Sequence, residues 1–499
     1  MKADIGLIGL AVMGQNLVLN MNDRGRSVAV YNRSPQATRD FLAGPAATRR
    51  HGDGKPGIVG AETIEEFVAL LDNPRTIMLL VKAGVAVDET IAKLLPHLEQ
   101  GDLIIDGGNS FFVDTERRCQ DLAAKGLSFI GTGVSGGEEG ARHGPSLMPG
   151  GDPGAWARIR GLFEAIAAKT PDGEACCAWM GSGGAGHFVK MVHNGIEYGD
   201  MELIAETYQL LHELLGLGYG EMSEIFGAWN RTELESYLIE ITAQILATKD
   251  GDGSPLPEHI LDAAGQKGTG KWTSQEALDA GVPLTLITEA VYARALSALV
   301  DERRVASAIL QGPGVAERDA LRKALAQGSG SAGLVEDLRK ALLAAKLVSY
   351  AQGFMLLREA SAERKWALDF GSIALTWRGG CIIRSAFLGR IKEAYGRRPD
   401  LPSLLIDPWF SKVLGDCQAS LRRVVALSAE AGLPVPTISA ALSFYDGYRS
   451  ARLPANLLQA QRDFFGAHTY ERTDRPRGQF FHSDWTGSGG AAVSGTYNA

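Results

Sequence analysis

Cysteine is scarce in this chain, and its placement excludes more than its number does. The five cysteines, Cys119, Cys176, Cys177, Cys381 and Cys417, are odd in count, and none stands at CxxC spacing or beside histidines at zinc-ligand spacing. Neither a disulfide scaffold nor a structural zinc site is expected, and no Asp and His cluster shows metal spacing. No apolar run is long enough to span a bilayer, and Met1-Lys2-Ala3-Asp4 leads straight into a strand-like segment without a signal-peptide layout. Basic residues are the minority, 50 Lys and Arg against 58 Asp and Glu for a net charge of -8, which argues against a chain built to hold nucleic acid. A reducing, cytoplasmic setting is therefore the expectation. What remains is a globular chain of 499 residues, long enough for two or three domains.

The N-terminal region carries strand and turn signals. Ile5-Gly6-Leu7-Ile8-Gly9 reads as a short buried strand, and Gly9-Leu10-Ala11-Val12-Met13-Gly14 then opens a helix through Leu17, Val18, Leu19 and Met21. This is a dinucleotide fingerprint with Ala11 in place of the second glycine, still small enough for backbone to approach a pyrophosphate at a helix N-terminus. The next strand, Val28-Ala29-Val30-Tyr31, ends in Asn32-Arg33-Ser34, where a carboxylate would read a ribose 2′-hydroxyl. A guanidinium and a hydroxyl suit a 2′-phosphate instead, so NADP is expected over NAD.

Further strands are expected over 76–81 and 102–106, each ending in a small-residue turn, Lys82-Ala83-Gly84 and Gly107-Gly108-Asn109-Ser110. In a doubly wound sheet the ligands lie beyond such strand ends. The stretch from Pro45 to Gly60 reads as a surface excursion. The apolar run 127–130 leads into Gly131-Thr132-Gly133-Val134-Ser135-Gly136, a second literal G-x-G-x-x-G, but Gly137-Glu138-Glu139-Gly140 follows it instead of an apolar helix. It reads as a turn, either a cradle of amides and the Ser135 hydroxyl for a small anion or a purely structural feature.

One stretch organises the rest. Read as a helix, residues 187–201 place Lys190, His193, Asn194, Glu197 and Tyr198 in a single stripe, with Val189, Val192, Ile196 and Leu203 on another face. A solvated face is normally filled by scattered Glu, Lys, Arg and Gln, so this mixture reads as the wall of a site. Gly195 and Gly199 each cost a helix about 1 kcal/mol and require a close approach by backbone or ligand.

Beyond His187 the periodicity becomes helical, for example over 204–215, 234–246, 284–310 and 334–360. The sequence Lys346-Leu347-Val348-Ser349-Tyr350 echoes Lys190-Met191-Val192-His193-Asn194, as a duplicated unit whose second copy has lost its polar stripe would. Gly265-Gln266-Lys267-Gly268-Thr269-Gly270-Lys271-Trp272 matches a phosphate loop up to its last position, where Trp272 replaces the magnesium-binding hydroxyl. The preceding 259–264 also reads as helix, not strand, so a loop delivering Lys267 to an anionic substrate is the better reading. The final stretch, 471–499, lacks a period, but its aromatics Phe480, Phe481, Trp485 and Tyr497 favour a tail laid on another subunit over a disordered one. The expected fold is an α/β N-terminal Rossmann-like doubly wound domain over 1–180, a large all-α substrate and dimerisation domain over 181–440, and an extended C-terminal tail over 441–499.

Together with Gln461-Arg462-Asp463-Phe464-Phe465-Gly466-Ala467-His468, the motifs at 9–14, 80–84, 106–110, 133–138, 187–201 and 265–272 make the whole chain resemble the 6-phosphogluconate dehydrogenases. The resemblance implies oxidation of 6-phospho-D-gluconate at C3 by NADP+, loss of CO2 and reprotonation to ribulose 5-phosphate. It implies Lys190 as the base taking the 3-hydroxyl proton and Glu197 as the acid protonating C1. It further implies that Asn109, Ser135, Gly136, Gly137, His193 and Asn194 hold the carboxylate and hydroxyls, and that Tyr198, Lys267, Arg294, Arg462 and His468 surround the phosphate. Gly9, Leu10, Ala11, Val12, Met13, Gly14, Asn32, Arg33, Ser34, Val81, Lys82, Ala83 and Asn109 would hold the cofactor without a metal. A homodimer is implied, in which Arg462 and His468 complete the partner's site. Two departures are Ser34, where the family often has Thr, and the glycine-rich patch His51 to Pro56. The nearest rival is a 3-hydroxyacid dehydrogenase for a small unphosphorylated substrate, which would need neither Lys267, Arg462 nor His468; a non-catalytic NADP sensor and a P-loop NTPase are more distant.

Overall fold

The computed structural model describes residues 2–50, 54, 56–327, 330–487 and 494. By density of contacts the chain divides into two units, Met1–Ala441 and Leu442–Ala499. The first begins with strands β1 (Ile5–Ile8), β2 (Val28–Tyr31), β3 (Ile58–Ala61), β4 (Thr76–Leu79), β5 (Leu103–Asp106), β6 (Ser128–Ser135), β7 (Ser146–Gly151) and β8 (Gly181–Ser182). Between them lie helices α1 (Val12–Asp23), α2 (Pro35–Ala43), α3 (Ile64–Ala69), α4 (Val85–Leu94), α5 (Phe112–Ala123), α6 (Gly137–His143) and α7 (Pro153–Ile166). The sheet order is β3-β2-β1-β4-β5-β6-β7-β8, parallel from β3 to β6 and antiparallel between β6 and β7. The first six strands thus have the doubly wound order of a dinucleotide fold.

Both faces of this sheet are covered, which is why its strands read as short apolar runs. Ile5, Leu7, Val28, Val30 and Met78 join α1, α2 and α7 in one core, whereas Ile8, Ala29, Ile77 and Leu79 turn the opposite way to join α3, α4 and α5 in another. Two expectations are corrected here. The supposed excursion to Gly60 contains the edge strand β3, paired with β2 from Val28↔Ile58 onward; its glycines and prolines mask a four-residue strand. Of the patch at 51–56, only Gly54 and Pro56 are among the described residues. The second glycine motif is no turn until Ser135, because 131–135 continue β6 in register with β7. Gly131 and Gly133 are small there because helical side chains pack directly on the strand.

The helical part contains α8 (Ala185–Gln209), α9 (Tyr219–Trp229), α10 (Tyr237–Ala247), α11 (Thr269–Asp279), α12 (Thr285–Ser297), α13 (Val300–Ile309) and α14 (Val315–Gln327). It continues with α15 (Gly330–Arg364), α16 (Phe370–Thr376), α17 (Leu388–Arg397), α18 (Pro408–Ala431) and α19 (Pro436–Tyr448), the last of which crosses into the second unit. The run 284–310 is two helices rather than one, broken at Ala298 and Leu299 with neither glycine nor proline to mark it. Of residues 259–264 only His259 is helical, closing a single 3-10 turn at Leu256–His259 that Pro255 and Pro257 set, and irregular chain follows. The polar stripe of α15 is not lost: Lys346, Ser349, Tyr350 and Gln352 are fully buried. Lys346 Nζ lies 2.6 Å from Asp200 Oδ2 of α8, and Tyr350 donates to Ile383 O at 2.7 Å. No helix among the described residues is long and apolar enough to cross a membrane.

The second unit holds α20 (Ala455–Gly466) and a hairpin of β9 (Tyr470–Glu471) and β10 (Phe480–Phe481). Its fully buried organiser, unmarked in the sequence reading, is Asp463. Oδ1 accepts from Thr469 N and His482 Nδ1, each at 2.9 Å, and Oδ2 accepts from Ser483 N at 3.0 Å and Trp485 Nε1 at 2.8 Å. Burial would raise this carboxyl, but those hydrogen bonds hold it below the ordinary aspartate range. The tail aromatics Phe480, Phe481 and Trp485 are therefore ordered within their own unit, while Tyr497 lies outside the described residues.

Candidate active site

The helix α8 is enclosed on nearly every side, which excludes a solvated face. Its glycines are explained by neighbouring helices. A Cβ on Gly195 would stand 2.6 Å from Thr273 Cγ2 of α11, and one on Gly199 would stand 2.6 Å from Ser349 Oγ of α15. Thr273 Oγ1 also donates to Met191 O at 2.9 Å, fixing α11 against α8.

A cavity of about 560 Å³ is lined by Asn109, Ser135, Gly136, Gly137, Lys190, Asn194, Glu197, Tyr198, Lys267 and Arg294, all expected on the substrate side. His193 is buried behind that wall and joins its members. Its Nδ1 lies 3.4 Å from Lys190 Nζ, 3.0 Å from Asn194 Oδ1 and 3.8 Å from Glu197 Oε2, and its Nε2 lies 3.2 Å from Ser135 Oγ. A proton on Nδ1 donates to Asn194 Oδ1 and leaves Nε2 to accept from Ser135. Burial and the neighbouring ammonium hold the imidazole well below its ordinary pKa, so it is neutral.

The proposed base and acid are shifted in opposite directions. Burial lowers Lys190, against the opposing pull of the Glu197 carboxylate and the Cys381 thiol. Burial raises Glu197, against Lys190, Arg294 and Lys267. Each group is thereby driven toward its uncharged form, the state that a proton acceptor of the amine type and a proton donor of the carboxyl type require. The stem of Lys190 lies on β6, where a Cβ on Gly133 would stand 2.4 Å from Lys190 Cβ.

In the same cavity Arg294 lies 3.5 Å over the ring of Tyr198, which also packs against Gly270 at the start of α11. Arg294 is buried yet forms no ion pair among the described residues, and neither does the exposed Lys267. Two cations without carboxylates mark a place for an anion. The turn after β6 is held by Gly136, whose φ of +118° disfavours other residues and whose Cβ would stand 2.4 Å from Gly380 O. The segment between α16 and α17 therefore supports the turn, and its Ile382 lines the cavity. That segment and Gly133 were missed in the sequence because their partners are remote in the chain. Arg462 and His468 lie in the second unit, on α20 and just beyond it, with Ala467 and Thr469 on either side of the histidine at φ +51° and +55°.

A second cavity, of about 320 Å³, is lined by Gly9, Ala11, Asn32, Arg33, Ser34, Val81 and Lys82 among the residues expected to hold the cofactor. Met13 and Asn109 line the larger cavity instead, and Leu10, Val12, Gly14 and Ala83 line neither. Gly9, at φ +108°, is at the topological switch point, where a Cβ would stand 2.4 Å from Leu80 O. Asn32 Oδ1 accepts from Leu10 N at 3.0 Å and so braces the fingerprint turn. No side chain caps the N-terminus of α1 and its first turn carries no acidic residue, which leaves its amides for an anion. Arg33 and Ser34 are exposed at the cavity, Arg33 without an ion pair among the described residues. This donor set fits a dinucleotide bearing a 2′-phosphate. Elsewhere, Asp250, Asp252 and His259 form an exposed group of metal-ligand type, a grouping that the sequence spacing did not reveal, with Ser254 already bonded to Asp252 and His259.

Comparison with known proteins covers the whole chain. The family model described as the NAD binding domain of 6-phosphogluconate dehydrogenase matches residues 4–181, and that described as the 6-phosphogluconate dehydrogenase C-terminal domain matches residues 186–485. A Mus musculus relative described as 6-phosphogluconate dehydrogenase, decarboxylating, is 57% identical over 498 residues, covering 100% of both chains. A Haemophilus influenzae relative of the same description is 57% identical over 497 residues, covering 100% of this chain and 99% of its own. A solved Plasmodium falciparum 6-phosphogluconate dehydrogenase, described in apo form, with its cofactor NADP+ and with its substrate 6-phosphogluconate, is similar at a TM-score of 0.88 and 42% identity, covering 97% of this chain and 100% of that one.

Proposed function

The chain belongs to the 6-phosphogluconate dehydrogenase family, and from that premise we propose that its larger cavity carries out oxidative decarboxylation of 6-phospho-D-gluconate to D-ribulose 5-phosphate and CO2 with NADP+. The observation that carries the assignment of roles is the meeting of Lys190 and Glu197 at one imidazole nitrogen, each driven by burial toward its neutral form. When bound, the cofactor supplies the acceptor for the hydride from C3. Neutral Lys190 takes the proton of the 3-hydroxyl as that hydride leaves. The resulting ammonium then hydrogen-bonds the 3-carbonyl oxygen, which accepts electron density as the bond to CO2 breaks. Glu197, drawn toward its protonated form by burial, delivers its proton to C1 of the enediol.

Arg294 and Lys267 are the phosphate ligands on this chain, with Tyr198 held under the guanidinium. Ser135, Gly136, Gly137, Asn109, His193 and Asn194 serve the carboxylate and hydroxyl end. Gly9 to Gly14, Asn32 to Ser34 and Val81 to Ala83 form the cofactor side, with Arg33 on the 2′-phosphate. We assign residues 1–180 to cofactor binding, 181–440 to substrate binding and dimerisation, and 441–499 to a segment reaching the partner subunit.

A spectrophotometric assay tests the reading: NADPH forms with 6-phosphogluconate but not with an unphosphorylated 3-hydroxy acid. Arg33→Gln raises the KM for NADP+ by about 10–100-fold, the loss expected of one charge-assisted contact, while NAD+ is used as before. Equal loss with both cofactors would remove Arg33 from recognition of the phosphate.

A homodimer is supported by the exposed apolar side chains Tyr292, Leu296 and Leu299 at α12 and Val305, Ile309 and Leu310 at α13. Completion of the site in trans predicts that Lys190→Ala and Arg462→Ala subunits, each inactive alone, regain activity when unfolded and refolded together, because mixed dimers contain one intact site. No recovery despite mixed dimers on native gels would place Arg462 outside the partner's site. The five unpaired cysteines support a reducing, cytoplasmic setting.

A further inference from the structure

The cofactor-side turns after β4 and β5 must be held relative to each other and to Lys190, and one buried guanidinium reaches both. Arg118 of α5 is 2% exposed. Its Nε and Nη2 donate to Asp88 Oδ1 and Oδ2, each at 2.9 Å, and Nη2 also donates to Gly84 O at 3.1 Å, so it grips the turn after β4 and the first turn of α4. Its Nη1 lies 3.5 Å from Asp106 Oδ2 at the end of β5, an ionic contact rather than a hydrogen bond. Asp106 in turn accepts from Gly108 N at 3.0 Å and Ser110 Oγ at 2.6 Å, the residues on either side of Asn109. The two turns also touch, since a Cβ on Gly108 would stand 3.2 Å from Val81 O. One turn of α5 before Arg118, Thr115 Oγ1 lies 2.7 Å from His187 Nδ1, three residues before Lys190 on α8.

We propose that Arg118 is a positioning residue for hydride transfer, clamping the Lys82–Gly84 and Asp106–Ser110 turns so that the nicotinamide half of the cofactor is presented to Lys190. This rests on the reading above that Val81, Lys82, Ala83 and Asn109 hold the cofactor, and adds that they border its nicotinamide half. The ion pair is strong enough that Arg118, with a smaller contribution from Arg117, holds the Asp88 carboxyl down to about 2. Lysine cannot replace Arg118, because a single ammonium has no planar fork to bridge Asp88, Gly84 and Asp106 together.

The test compares R118K and D88N with the wild-type dimer, reading the KM for NADP+, turnover, the isotope effect with substrate deuterated at C3, and calorimetric binding of adenosine 2′,5′-bisphosphate, which lacks the nicotinamide. R118K raises the KM for NADP+ and lowers turnover about 10–100-fold with an enlarged isotope effect, as misplacement of reacting groups does, while the bisphosphate binds within about twofold of wild type. D88N removes one side of the clamp, shifts the same quantities in the same direction by less, and decides the matter if R118K does not fold. Parallel loss of NADP+ and bisphosphate binding would overturn the proposal in favour of general loosening of the domain, and unchanged kinetics would overturn it outright. Failure of the wider reading shows separately, as wild-type protein that binds the bisphosphate but does not oxidise 6-phosphogluconate.

Discussion

Turnover of 6-phosphogluconate falls at least 10²–10⁴-fold when Lys190 is replaced by methionine, the usual contribution of a positioned proton acceptor, while NADP+ binds nearly as before. Methionine keeps an unbranched stem to lie against Gly133, so the loss reports the amine rather than the packing. The pH dependence has a definite sign. Oxidation requires neutral Lys190, so kcat/KM falls as pH drops through the lysine's pKa, which burial has moved below the ordinary value. Glu197 raises that pKa only when it is ionised, so with its carboxyl protonated Glu197→Gln leaves the acidic limb of the residual oxidation where it stands. A limb that moves would show Glu197 ionised in the resting site, and near-normal turnover in the methionine variant would assign the proton transfer to another group.

Lys346→Met destabilises the helical region by about 3–5 kcal/mol, the effect of stranding one member of a buried ion pair. Both partners are almost completely buried, with Lys346 Nζ 2.6 Å from Asp200 Oδ2 and Tyr350 Oη 3.3 Å from the same oxygen. Burial pushes the Asp200 carboxyl upward, and the ammonium is the main influence opposing it. Without Lys346 the carboxyl must either carry an uncompensated charge or take a proton inside the contact between α8 and α15. Asp200→Leu combined with Lys346→Met recovers most of the loss because no buried charge remains, the difference being read from urea midpoints. A single variant as stable as the wild type would show that the pair is not what holds these two helices in register.

Much of this was legible in the sequence where the relevant geometry is local. The fingerprint at Gly9 to Gly14, the strand Val28–Tyr31 and Arg33 beyond it need only a few consecutive residues to declare themselves. The edge strand Ile58–Ala61 was hidden because turn-forming residues dominate its surroundings, and a four-residue strand has too short a period to outweigh them. The glycines at 131 and 133 read as a turn because their partners, His187 and Lys190, lie more than fifty residues further on. Asp463 carried no signal at all, since its role depends on a tail folding back to four donors.

The order of residues from 187 to 201 by itself determined that Lys190, Asn194, Glu197 and Tyr198 share a face, because the angular spacing of side chains on a helix depends on nothing beyond the local backbone. Only the tertiary structure decided what those groups are chemically. The desolvation that draws Lys190, His193 and Glu197 toward their uncharged forms comes from β6, α11, α15 and the segment around Cys381, all distant in the chain, and a pKa is a property of surroundings rather than of spacing.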